Sequence, residues 1–165
     1  MIGSLFGNMS PARRIGLTVL LLALAAAVLG FRNLGVVQVV GNSMHPTLRS
    51  GERLWFVKGL RWLRPVRPGD IVTITGKSGE LEGESVIKRV VFRQNGRGDA
   101  PWPEKITVPT GTFDRVSLFP DGSAECPLNV PNGVYVLGDN VDGSSDSREY
   151  GPVQERDIVG RVIGR

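Results

Sequence analysis

The chain has a single cysteine, Cys126, and a single histidine, His45, among 165 residues. One cysteine excludes an internal disulfide, so the fold must rest on burial. Cys126 lies in the turn-like stretch Asp121-Gly122-Ser123-Ala124-Glu125-Cys126-Pro127, whose acids raise a thiol pKa, and it reads as structural. With one histidine and no HExxH motif, metal-assisted hydrolysis lacks its ligands. A Ser-His-Asp triad on Ser43 would have to use His45, although a triad histidine approaches its serine from a separate segment. A calcium loop begun at Asp139 or Asp142 finds no glutamate to close it. Basic residues outnumber acids, 20 to 16, for a net charge of +4. They are scattered, with no basic run, aromatic ladder or zinc spacing, so nucleic acid is not an expected partner. The balance suits a surface lying against anionic lipid instead.

Charge is also missing from Ile15 to Phe31, IGLTVLLLALAAAVLGF, between Arg13-Arg14 and Arg32. As a helix, this stretch of about 17 residues is close to the shortest that spans a bilayer core. Residues 1–14 carry positive charge and no acid, which puts the N-terminus in the cytoplasm and the body outside. The same features fit a cleavable signal peptide, with Ala25-Ala26-Ala27 as the small-residue site. Both readings export the body, and the stretch alone does not choose between them.

What the chain does have is 22 glycines, 11 prolines and many short Val/Ile-rich runs. With no amphipathic repeat, these predict a mainly β body of one domain over residues 36–165. Strands are expected at Val36–Val40, Glu52–Val57, Ile71–Ile74, Val86–Val91, Val134–Leu137 and Ile158–Ile163, with weaker ones near Ile106–Val108 and Val116–Phe119. Residues 92–131, rich in turns, read as an inserted β-lobe or long loop. From Trp55 to Trp62, Trp and Leu alternate with basic residues, which fits either a membrane-interfacial surface or a half-buried edge strand.

Two polar residues stand in unusual settings. Ser43 sits in Val40-Gly41-Asn42-Ser43-Met44-His45-Pro46-Thr47-Leu48, where Pro46 restricts the backbone and displays the serine at a bend. Lys88 interrupts the β-branched run Val86-Ile87-Lys88-Arg89-Val90-Val91. A lysine there either points to solvent on the alternating face or sits in apolar surroundings and loses its charge. In the second case the neutral amine can take a proton, the Ser-Lys variant of nucleophile activation.

Four ordered stretches resemble the successive boxes of the type I signal peptidases and the related mitochondrial inner-membrane peptidases. They are Gly41 to Leu48, Arg67-Pro68-Gly69-Asp70-Ile71-Val72, Val86 to Val90, and Gly138-Asp139-Asn140 through Ser144, Asp146-Ser147-Arg148 and Gly151. The resemblance implies a retained transmembrane helix at residues 15–31, an all-β catalytic domain and no cofactor. It implies Ser43 as nucleophile, Lys88 as general base, and Ser144 as a hydrogen-bond partner of the lysine. It further implies Asp146 with Arg148 as a structural ion pair, the Ser43 backbone N–H as an oxyanion donor, and Met44 lining the pocket or packing beneath the serine. The implied substrates are signal peptides of exported preproteins, cut after small residues beside the phospholipid bilayer. A specialised secretion or conjugation peptidase and an inactive scaffold are the alternatives. Three departures stand out. Gly41 replaces a serine whose hydroxyl completes the oxyanion hole in many members. Val141 and Gly143 replace an Arg and an Asn, and Phe92 to Asp99 replaces a Gly-x-Pro-Gly-Asp segment.

Overall fold

A computed structural model of the protein describes residues 10–59, 64–75, 85–119 and 129–164. The chain divides into two units, one ending at Leu34 and one beginning at Gly35. The first is helix α1, Pro11–Arg32. Proline in its first turn costs nothing, because no N–H is needed there. At ~1.5 Å per residue, its 22 residues cover about 33 Å, long and apolar enough to cross a bilayer core of ~30 Å.

The second unit is built on a seven-stranded sheet in the order β1-β2-β9-β3-β4-β7-β8. Its strands are β1 Leu34–Gln38, β2 Arg53–Lys58, β3 Ile71–Thr75, β4 Ser85–Arg93, β7 Gly133–Leu137, β8 Val153–Gln154 and β9 Ile158–Val162. A separate hairpin pairs β5, Lys105–Val108, with β6, Gly111–Asp114. Among the described residues the unit also has two short α-helices, α2 Arg115–Leu118 and α3 Ser147–Tyr150.

Alternation along the strands distributes the apolar residues over three clusters. Val134 and Val136 of β7 join Val72, Ile74 and Val90 on one face, while Tyr135 and Leu137 face Phe92, Ile106 and Phe119 on the other. That is why every residue of β7 is buried. The third cluster gathers Val39, Met44, Leu48, Leu54, Phe56, Ile71, Ile87 and Val162, so the bend containing Ser43 is anchored by the two side chains on either side of Pro46.

The six principal strands lie where the sequence predicts them, to within a residue or two. β1 starts and stops earlier than Val36–Val40, but Val39 still pairs through its backbone with Gly51 and Glu52. Val116–Phe119 is not a strand. Leu118 and Phe119 are both buried, which a half-exposed strand cannot provide, and a helical turn closed by Phe119 N–H to Arg115 O at 2.7 Å can. In the 92–131 region, the apolar side chains of β5 and α2 share one cluster with Phe92, Tyr135 and Leu137 of the main sheet. Cys126 and its turn-like stretch from Asp121 to Pro127 fall outside the described residues. β2 lies between β1 and β9 rather than at an edge, with Trp55 exposed between buried Leu54 and Phe56. The remainder of the Trp55 to Trp62 patch, from Leu60 on, is outside the described residues.

Gly160 of β9 lies against β2, where a Cβ would sit 2.5 Å from both the Phe56 ring and the Val57 carbonyl oxygen. Backbone cannot step aside in a paired strand. Gly160→Ala is therefore expected to destabilise the body by about 1–3 kcal/mol, read as a lower urea midpoint with an unchanged slope.

Candidate active site

Ser43 occupies a series of turns leaving β1, with His45 N–H bonded to Asn42 O at 3.0 Å and Leu48 N–H to Met44 O at 2.9 Å. Gly41 precedes it at φ 82, a left-handed backbone that glycine adopts without strain. Met44 is 1% exposed and packs in the third cluster, fixing the turn from below. His45 is exposed. The Ser43 side chain is half-buried, and its hydroxyl makes no hydrogen bond among the described residues, which leaves it available to an incoming group.

Lys88 is 4% exposed, on β4 opposite Val72 of β3. Its Nζ donates to Ser144 Oγ at 2.8 Å, and no carboxylate pairs with it among the described residues. Burial pushes its pKa down from the ordinary lysine value; Asp146 and Glu149 oppose this and Arg148 adds to it. The outward-facing alternative for this lysine is thus excluded.

Gly138 brings the two serines together. A Cβ at this position would collide with Ser144 Oγ and lie 2.5 Å from Ser43 O, so only glycine permits both to approach. Asn140 closes the same junction, its N–H bonded to Ser43 O at 2.9 Å and its Nδ2 to Asn42 O at 3.3 Å. Asp146, with its side chain fully buried, accepts Arg148 Nε at 2.8 Å and the Gly138 N–H at 3.0 Å. Arg148 also donates to Val141 O at 2.6 Å and Ser144 O at 3.0 Å. The pair is therefore a staple that fixes the loop carrying Ser144.

The profile of the family described as "Signal peptidase, peptidase S26" matches residues 12–92 and 106–165. The chain belongs to the S26 signal peptidases. Membership makes it a serine peptidase, a hydrolase. The gap in the match, between 92 and 106, takes in most of the segment where the sequence departs from the family pattern. Among S26 relatives, it is 36% identical over 135 residues to signal peptidase I T of Bacillus subtilis (strain 168), covering 74% of this chain and 68% of that protein. It is 31% identical over 131 residues to mitochondrial inner membrane protease subunit 1 of Mus musculus, covering 78% and 67%. It is 32% identical over 141 residues to the chloroplastic thylakoidal processing peptidase 1 of Arabidopsis thaliana, covering 77% and 40%.

In this S26 peptidase, Ser43, Lys88, Ser144, Asp146 and Arg148 converge around Gly138, although 56 positions separate Lys88 from Ser144. Besides Gly138 and Asn140, further contributors to which the sequence assigned no role are Arg89, Asp139 and Thr110. Arg89 and Asp139 form a two-pronged ion pair, Nε to Oδ1 and Nη2 to Oδ2, both at 2.7 Å. Thr110, in the β5–β6 turn, donates to Asp139 O at 2.6 Å and so ties the hairpin to the loop beside Ser43. Arg89 and Asp139 lie within the quoted boxes, but no spacing pairs them, and Thr110 had no signal at all. Gly138→Ala is expected to lower kcat for peptide cleavage by about 100-fold or more, the scale set by a ~1 Å misplacement, while KM changes little. Steady-state kinetics on a signal-peptide substrate check it.

Proposed function

We propose that the protein is a membrane-anchored Ser-Lys endopeptidase that removes signal peptides from exported preproteins, cutting after small residues. One observation carries this reading: a buried lysine amine with no carboxylate partner among the described residues, held 2.8 Å from Ser144, whose hydroxyl and the Ser43 carbonyl both crowd Gly138. An amine so placed stays neutral at a pH where free lysine is charged.

Neutral Lys88 takes the Ser43 proton as Oγ attacks the scissile carbonyl. The oxyanion that forms is held by the Ser43 backbone N–H; Gly41 offers no hydroxyl as a second donor. Protonated Lys88 then gives its proton to the departing amine, leaving an ester on Ser43. Lys88 next deprotonates a water, which releases the acyl group and restores the serine. Ser144 keeps the amine aimed throughout, and Asp146 with Arg148 keeps Ser144 in place. β1 ends the sheet order just before Ser43, so an extended peptide adding to that edge would run directly toward the hydroxyl. Shallow apolar walls would favour small side chains at the first and third positions before the cut.

In this reading α1 is a retained anchor, residues 1–14 are cytoplasmic and the β body works on the outer face of the cytoplasmic membrane. Exposed Trp55, Val36, Val40 and Ile163 give that body an apolar surface suited to the bilayer interface.

The test is cleavage of a preprotein carrying an Ala-x-Ala site by the detergent-solubilised chain. Ser43→Ala and Lys88→Ala are each expected to lose about 1000-fold or more, and His45→Ala to retain activity. Activity in the wild type should rise with pH as Lys88 loses its proton, through a midpoint below the ~10.4 of free lysine. Cleavage that survives Lys88→Ala would sink the mechanism.

A further inference from the structure

Thr110 is exposed, in the short turn Pro109-Thr110 that the pairing of Val108 with Gly111 leaves between β5 and β6. A residue so placed ordinarily does no more than close a hairpin. Here its neighbours fix where it points. Pro109 stiffens the turn by holding its own φ. Ile106 and Val108 are buried and pack with Tyr135, Leu137 and Val141, which seats the hairpin on the main sheet. The Thr110 hydroxyl is thereby presented to one acceptor, Asp139 O, at 2.6 Å.

That carbonyl and the Asn140 N–H are the two ends of a single peptide plane. The peptide is trans, so the two groups point to opposite sides. Thr110 grips one side, and on the other Ser43 O accepts the N–H at 2.9 Å. Arg89 clamps the Asp139 carboxylate but leaves the plane beyond it free to turn about the backbone. Asn140 also donates from Nδ2 to Asn42 O at 3.3 Å, so it bonds both peptide planes that flank Ser43. One of those planes carries the Ser43 N–H, the oxyanion donor of the mechanism above. Each hydrogen bond in this series polarises the peptide that makes the next, so the hydroxyl at its head strengthens the hold on Ser43. Asp139 is fully buried. A carbonyl deprived of its donor in that setting is driven to tilt toward another, and the Asn140 N–H tilts with it.

We propose that Thr110 is a positioning residue for peptide cleavage, acting through the Asp139–Asn140 peptide to set the backbone on both sides of Ser43. The β5–β6 hairpin then braces the nucleophile as well as covering the core. The proposal rests on the Ser-Lys reading, in which Ser43 attacks and its N–H holds the oxyanion.

The experiment compares steady-state cleavage of a signal peptide with an Ala-x-Ala site by the full, detergent-solubilised chain and its variants, each held below its unfolding transition. Thr110→Val, which keeps the shape and loses the hydroxyl, is expected to lower kcat about tenfold, with KM within about twofold of the wild type. The pH midpoint of kcat should not move, because Thr110 bonds to neither Lys88 nor Ser144. Thr110→Ser, which keeps the hydroxyl, should restore kcat. Gly160→Ala, destabilised in the β2–β9 pair instead, should keep the wild-type kcat, which an effect of general instability would not allow. Amide exchange at Asn140, followed by NMR of the ¹⁵N-labelled chain, should quicken in Thr110→Val and not in Thr110→Ser. Thr110→Ala serves if the valine variant does not fold. Wild-type kcat or unchanged Asn140 exchange in Thr110→Val overturns the proposal, as does an equal loss in Thr110→Ser or Gly160→Ala, or a displaced pH midpoint. The Ser-Lys reading survives those results, whereas a wild type that cuts no such peptide sinks that reading and the proposal with it.

Discussion

The interaction on which the rest depends is the burial of the Lys88 amine beside one neutral hydroxyl. An ammonium placed there would lose its hydration and gain no carboxylate among the described residues in return, so burial lowers the lysine pKa and favours the uncharged form. Asp146, the acid that most opposes this shift, is already committed to Arg148 and to the Gly138 N–H. Had Asp146 been free to pair with Lys88, the amine would remain protonated and useless as a base. The staple formed by Asp146 and Arg148 thus has two effects: it shapes the loop and it withholds a carboxylate from the lysine.

The surrounding fold delivers these groups from segments far apart in the chain. Ser43 comes from the turns after β1, Lys88 from the middle of the sheet, and Ser144 from the loop after β7. Their meeting point is a glycine, because any larger residue at 138 would separate Ser43 from Ser144. Contacts from the Asn140 backbone and side chain and, one step removed, from the Thr110 hydroxyl complete the junction.

How much of this was legible beforehand depends on whether the information is local. Alternating β-branched runs announced β3, β4, β7 and β9, since strand periodicity is written in neighbouring residues. The charge-free stretch announced α1 for the same reason, although Pro11 and the arginines extend the helix beyond Ile15–Phe31 at both ends. Val116–Phe119 was misread because a short apolar run carries no period long enough to separate strand from helix. Ser43 and Lys88 stood out by their local settings, but their roles, and Ser144, Asp146 and Arg148 altogether, were legible only through the resemblance of ordered motifs. The periodicity around Lys88 allowed both an exposed and a buried side chain. The pairing of Arg89 with Asp139 and the contact of Thr110 depend on tertiary packing, which no local pattern encodes.

The most direct test is the titration of Lys88 itself, followed by NMR of the chain carrying ¹³C-labelled lysine, with Lys88→Arg used to assign the signal. The account predicts a midpoint clearly below the ~10.4 of free lysine, in the Ser43→Ala variant as well as in the wild type. A Lys88 that titrates at or above the ordinary value would mean that the amine is charged at working pH, and the proposed base would be contradicted.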